Sequence, residues 1–210
     1  MSTVVFVAGT GTDVGKTWVG AALLRTLRAR GVAAHARKPA QSFAQDDDCT
    51  DADVLASATG ESVESVCPRH RWYPVTLAPP MAARALARPP FTIAELTAET
   101  SIAPEGVTLV EGAGGLRSPL ADDGDNLALI AALDPALVIL VADAGLGTIN
   151  AVRLSADALR PRPYVVYLNR FTPRMDVHVR NLDWLLKRDG DDVVTSLDAL
   201  TDRVMRRARS

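Results

Sequence analysis

The chain has 210 residues, 48% of them hydrophobic and 23% charged, with a formal net charge of −2. That suffices for a single domain spanning residues 1–210 with a substantial core, and it supplies no broad basic footprint for nucleic acid. No apolar run approaches the length of a bilayer span, and the chain enters its first strand at once, so neither a membrane nor a leader segment is expected. Cys49 and Cys67 lack a close metal-ligand spacing, so a reducing, cytoplasmic compartment is expected. His35, His70 and His178 are scattered and suggest no zinc site.

Val4–Ala8 is almost continuously apolar, as a strand buried on both faces would be. It passes into Gly9-Thr10-Gly11-Thr12-Asp13-Val14-Gly15-Lys16-Thr17, after which Trp18–Leu27 has helical spacing. Strand, glycine-rich turn and helix in that order form the context of a phosphate-binding loop. Glycines let successive N–H groups face one concavity, and the start of the helix adds unpaired donors and a positive dipole end. Lys16 would bring a full charge to the outer phosphates of a nucleoside triphosphate, and the Thr17 hydroxyl a hard oxygen for Mg²⁺. Five residues separate Gly9 from Gly15, one more than the usual form. The alternative is a structural glycine turn followed by an incidental lysine.

The first helix carries Val19, Leu23, Leu24 and Leu27 on one face and ends at Gly31. Val32–Ala36 predicts a second strand, which delivers Lys38, Pro39 and Ser42 to the carboxyl edge where open parallel sheets bind ligands. Asp46–Thr50 is an acidic loop, and Asp51–Gly60 predicts a short helix. From Cys67 to Pro90 the chain is proline-rich, with a short strand near Trp72–Val75 and a helix over Pro80–Leu86. A helix is expected over Phe91–Ile102. Val107–Val110 predicts a strand running into Glu111-Gly112-Ala113-Gly114-Gly115, and Asn126–Leu133 a helix. Ala136–Ala142 is the most apolar strand; Gly147-Thr148-Ile149-Asn150 follows, leading into a helix to Leu159. Tyr164–Leu168 predicts a strand ending at Asn169. One or two helices and a short strand near Val193–Thr195 remain, with Arg203–Arg209 a solvated, frayed helical end. Strands alternating with helices imply a three-layer α/β/α fold with a mostly parallel central sheet, similar to P-loop NTPases, and right-handed crossovers. The strand order stays open.

Glu111, ending an apolar strand beside glycines, is placed to reach a metal; the alternative is a solvated loop carboxylate. Asp51 either joins it or merely caps the helix that begins there, with Asp46–Asp48 and Asp53 as competitors. Lys38 would put a second cation near the terminal phosphate, unless it is an exposed surface lysine. Ser42 is a candidate substrate contact or a plain turn serine. Trp72, Tyr73 and Trp184 read as packing residues.

The order of these motifs, together with Leu146-Gly147-Thr148-Ile149-Asn150 and Asn169, resembles dethiobiotin synthetase over most of the chain. The long glycine spacing is that family's own form. The resemblance implies an ATP-dependent ring closure. 7,8-Diaminopelargonic acid and CO₂ form a carbamate, ATP phosphorylates it, and the second amine closes the cyclic urea with release of ADP and phosphate. It further implies that Lys16 and Lys38 are catalytic and that Gly11, Thr12, Asp13, Val14, Gly15, Lys16 and Thr17 hold the nucleotide, with Asn169 reading adenine. Thr17, Asp51 and Glu111 would organise Mg²⁺, while Thr12 and Ser42 contact the diamine. Gly147, Thr148, Ile149 and Asn150 would hold the substrate carboxylate across a homodimer interface. Asp13 replaces the family's frequent glutamate, Arg117 stands near the glycine cluster, and the likeness fades after Asn169.

Three rivals are set against this reading. A partition or septum-positioning ATPase would carry an extra early lysine, where this chain has Thr10 or Gly11. The synthetase part of a cobyrinate-type amidotransferase would continue into a glutaminase. A non-catalytic nucleotide-binding module would show no turnover dependent on the diamine.

Overall fold

The computed structural model describes residues 2–208. The chain begins with β1 (Ser2–Gly9), α1 (Lys16–Ala29), β2 (Ala34–Arg37) and the two-residue β3 (Gln41–Ser42). Next come α2 (Asp51–Thr59), α3 (Val63–Val66), β4 (Trp72–Tyr73), α4 (Pro79–Ala85) and α5 (Ile93–Glu99). The second half contains β5 (Gly106–Glu111), β6 (Pro119–Ala121), β7 (Gly124–Asp125), α6 (Asn126–Leu133) and β8 (Leu137–Asp143). It closes with α7 (Thr148–Leu159), β9 (Tyr164–Asn169), α8 (Asp176–Trp184), β10 (Val193–Val194) and α9 (Leu197–Arg207).

Six of these strands form one sheet in the order β10-β9-β8-β1-β5-β2, every pairing parallel. Strand alternation sorts the apolar side chains to two faces. Val5 and Val7 join Val19, Leu23, Leu24 and Leu27 of α1, Leu55 of α2 and Leu200 and Val204 of α9. Phe6 and Ala8 face the opposite layer with Leu96 of α5, Leu129 and Ile130 of α6 and Val152 of α7. Three layers result, as the alternating pattern requires.

The order has a functional consequence. From β1 the chain steps past the place of β5 to β2, while β8 lies on the other side of β1, so the connections diverge around β1. In open parallel sheets that reversal leaves a crevice outside the carboxyl ends of the strands. Gly9, Lys38, Glu111, Asp143 and Asn169 all lie at or just beyond those ends.

Several boundaries differ from the sequence expectation. The helix expected over Phe91–Ile102 is only Ile93–Glu99, because Thr92 caps it in a reciprocal box with Glu95 and so fixes its start. The antiparallel pair β6–β7 and the single-turn α3 have no counterpart in the sequence reading. Of the tail, α9 runs to Arg207, and Arg209 lies outside the described residues.

Candidate active site

The loop after β1 turns sharply. Asp13 and Gly15 both have positive φ, 58° and 91°. Gly15 also has no room for a side chain, since a Cβ there would overlap the amide nitrogen of Asn169. Gly15 is the N-cap of α1 and has no side chain with which to satisfy the first-turn N–H groups. Those donors and the helix dipole are left for an anion.

Lys16 and Thr17 open α1 and line a cavity of about 840 Å³, which Thr12, Asp13, Gly15, Lys38, Ser42 and Asp51 also border. Phe43, Leu77, Ala78 and Pro79 add apolar groups to its lining. The two lysines predicted to converge therefore face one space. Lys38 is not an exposed surface lysine: its side chain is 1% exposed. Its Nζ lies 2.6 Å from Glu111 Oε1, 2.7 Å from Asp51 Oδ2 and 3.0 Å from the Gly112 carbonyl.

Asp51 does not cap α2. Thr50 does, accepting from the Asp53 N–H while Asp53 bonds back to the Thr50 N–H. Asp53 is thereby committed, and Asp47 accepts from the Ala44 N–H at 2.9 Å. Gln41 adds a second hold on this helix start, accepting from the Ala52 N–H and donating to Thr50 Oγ1. Released from capping, Asp51 Oδ1 lies 2.8 Å from Thr17 Oγ1, as does Glu111 Oε1. One hydroxyl carries one proton, so it cannot donate to both acids at once. Glu111 is fully buried, and its Oε2 has no hydrogen-bond partner among the described residues. Two carboxylates and a hydroxyl gathered around an unpartnered buried oxygen form a hard, all-oxygen donor set that fits Mg²⁺.

The charges are strongly coupled. Burial lowers the Lys38 pKa, but Asp51 and Glu111 beside it more than reverse this and hold the ammonium above its ordinary value. Burial, reinforced by the Lys38 charge, lowers Lys16. Lys38 lowers Asp51, while burial raises Glu111. This cavity thus collects the perturbed groups expected of a working site.

The glycine cluster after Glu111 is held by Asn126, which accepts from the Ala113 N–H and donates to the Ala113 and Gly115 carbonyls. Arg117 turns away: it is exposed and pairs with Asp125 at 3.0 Å. Asn169 does not border the large cavity. It borders a second one of about 540 Å³, and its Nδ2 donates to the Val14 carbonyl at 2.9 Å. Arg170, which the sequence reading passed over, follows at φ 56° and lines both cavities. Its guanidinium bonds the Asp13 carbonyl at 3.0 Å and Asp143 at 2.9 Å.

Gly147, Thr148, Ile149 and Asn150 lie apart from both cavities, at the start of α7. Gly147 is its N-cap with φ 92°, and Thr148 Oγ1 is buried with no partner among the described residues. Leu146 beside it is 95% exposed. Trp72 packs edge-on against Phe43, and Tyr73 stacks on Phe91, consistent with packing roles. Among the described residues no helix is long and apolar enough to cross a membrane.

An all-parallel sheet whose first strand feeds a lysine-bearing glycine loop into a helix, with acids from two further elements on the Gly-Lys-Thr hydroxyl, defines a P-loop nucleotide-binding α/β protein. A family model described as an AAA domain matches residues 3–200. The putative plasmid partition protein of Borrelia burgdorferi bound to AMPPNP superposes with a TM-score of 0.54 at 13% identity, over 99% of this chain and 90% of that one, a likeness of fold alone. The ATP-dependent dethiobiotin synthetase of Anaeromyxobacter dehalogenans is 40% identical over 83% of this chain and 80% of its own length. That of Haloferax mediterranei is 42% identical over 79% and 71%. The chain belongs to the ATP-dependent dethiobiotin synthetase family, ligases of biotin biosynthesis.

Proposed function

We propose that this chain closes 7,8-diaminopelargonic acid and CO₂ into dethiobiotin at the expense of ATP, as one catalytic domain working in a cytoplasmic homodimer. One amine adds to CO₂ and loses a proton, giving a carbamate. The carbamate oxygen attacks the terminal phosphorus of ATP, and ADP leaves. The second amine then attacks the carbonyl carbon of the mixed anhydride and expels phosphate. An uncharged amine and a carbamate need positioning and positive charge rather than a covalent protein nucleophile.

The observation that carries this reading is the meeting of Lys16 and Lys38 on one cavity with Thr17, Asp51 and Glu111 in contact behind them. Lys16 and the Gly11–Thr17 backbone would cradle the phosphates. Lys38, held charged by two acids, would face the carbamate and the phosphoryl group in transfer. Thr17, Asp51 and Glu111 would hold Mg²⁺, which when bound offsets the charge of the phosphates. Thr12 and Ser42 border the same space and would meet the diamine, while Phe43, Leu77 and Pro79 suit its aliphatic chain. The N-terminus of α7, which lines neither cavity, supports a role for Gly147–Asn150 toward the substrate carboxylate in the partner's site through its open backbone N–H groups.

The test is ADP release with ATP and Mg²⁺, with and without the diamine and bicarbonate. Turnover should require both co-substrates; a rate unchanged when the diamine is omitted would sink the proposal. Lys38→Gln should abolish ring closure while ATP still binds.

A further inference from the structure

Asn126 is the first residue of α6, a helix otherwise built of Leu, Ala and Ile, and it is 1% exposed. Its amide does nothing for its own helix, since Asp125 caps α6 by accepting from the Ala128 N–H. It borders neither cavity. The side chain reaches instead to the turn after β5. Oδ1 accepts from the Ala113 N–H at 3.2 Å, and Nδ2 donates to the Ala113 and Gly115 carbonyls, each at 2.9 Å. The approach is so close that a Cβ on Gly112 would overlap Asn126 Oδ1. A buried amide pinning a turn is ordinary. This one differs in what the pinned peptide does.

The Ala113 N–H and the Gly112 carbonyl belong to one planar peptide unit, so they turn together. That carbonyl accepts from Lys38 Nζ at 3.0 Å. Asn126 and Lys38 therefore grip opposite ends of the same peptide, and polarisation along such a chain strengthens both bonds. The other partners of the ammonium are Glu111 and Asp51, which are also the acids proposed for Mg²⁺. The Gly112 carbonyl is the neutral contact of the three, with no metal to share it. We propose that Asn126 is a positioning residue for Lys38. It fixes the rotation of the Gly112–Ala113 peptide, and through it the place of the ammonium that faces the carbamate and the phosphoryl group in transfer. This rests on the synthetase reading and adds to it a residue outside the cavity. The same turn donates the Leu116 N–H to the Gly9 carbonyl, but the loop beyond is braced elsewhere, by Asn169 on the Val14 carbonyl and Arg170 on the Asp13 carbonyl. ATP affinity therefore depends little on Asn126.

The experiment measures ADP release by the full chain with ATP, Mg²⁺, the diamine and bicarbonate, its nucleotide sites being counted by calorimetric titration with ATP. Asn126→Ala removes the hold on the Ala113 N–H and leaves room for water at the freed groups; Asn126→Ser, too short to reach, replaces it if that variant does not fold. A misplacement of about 1 Å can cost about a hundredfold, so kcat per site should fall about tenfold or more while KM for ATP moves less than about twofold. Asn126→Asp should recover most of that loss. A buried carboxyl still accepts from the Ala113 N–H and, protonated, donates to one of the two carbonyls. A kcat loss matched by a loss of calorimetric sites would reduce Asn126 to packing and overturn the proposal. So would an unchanged kcat, a rise in KM alone, or Asn126→Asp no better than the loss variant. Absence of diamine-dependent ADP release in the unaltered protein would instead overturn the synthetase reading beneath it.

Discussion

Replacing Lys38 by methionine removes the one ammonium between two acids while keeping much of the side-chain volume. The side chain is 1% exposed, and Glu111, 2.6 Å from its Nζ, is fully buried. Breaking a buried pair from one side costs about 3–5 kcal/mol, because the surviving charge is left in a low-dielectric site. Burial already raises the Glu111 pKa, so this acid can escape by taking up a proton, which puts the cost near the lower end, about 3 kcal/mol. With a urea m-value of about 2.5 kcal/mol per molar, the unfolding midpoint of Lys38→Met should fall by about 1 M. Adding Glu111→Gln removes the stranded charge and should restore about half of that loss. The deficit of Lys38→Met should also shrink as pH falls, since protonating Glu111 relieves it. A midpoint shift below about 0.2 M, or a double variant weaker than the single one, would refute the claim that these two groups neutralise each other.

Gly15→Ala demands a side chain at φ 91° against the Asn169 amide; KM for ATP should rise about tenfold or more, and an unchanged KM would show the turn to be slack. ATP affinity should fade on the alkaline side below the ordinary lysine value of 10.5, because Lys16 is lowered while Lys38 is raised. The same shift is linked to folding: between the two Lys16 pKa values the unfolded chain holds the proton and the folded chain does not, so this group's contribution to stability grows with pH there. Titrating ATP across alkaline pH checks the first statement, and a loss appearing only above 10.5 would contradict it. Thr50→Ala removes the capping box of α2 and should cost about 1 kcal/mol, lowering the thermal midpoint by about 2–4 °C in calorimetry. It should also weaken Mg²⁺ binding by loosening Asp51; normal metal affinity would separate the cap from the site.

The phosphate loop was legible in the chain because its chemistry is local: the strand, the left-handed glycine and the lysine fall within a dozen residues. Glu111 could be found by the same kind of signal, a carboxylate ending an apolar strand beside glycines. Asp51 could not be decided, because an acid at a helix start serves equally as cap or ligand. The outcome turned on Thr50 and Asp53 forming the cap between them, a Thr-x-x-Asp pattern that was present in the sequence. Strand order was illegible for a different reason. Strands apolar on both faces, such as Val138–Val141, carry no mark of which neighbour they pair with. Arg170 gave no signal either, since an arginine after a strand acquires meaning only when the end of β9 meets the loop before α1.

Arg170 grips the Asp13 carbonyl with one nitrogen and Asp143 with another, and Asp143 in turn receives the Gly145 N–H. The rim of the nucleotide cradle and the bend that launches α7 are thus strung on a single guanidinium. Both contacts hang on one exposed arginine, so replacing Arg170 would free the Asp13 carbonyl and Asp143 together.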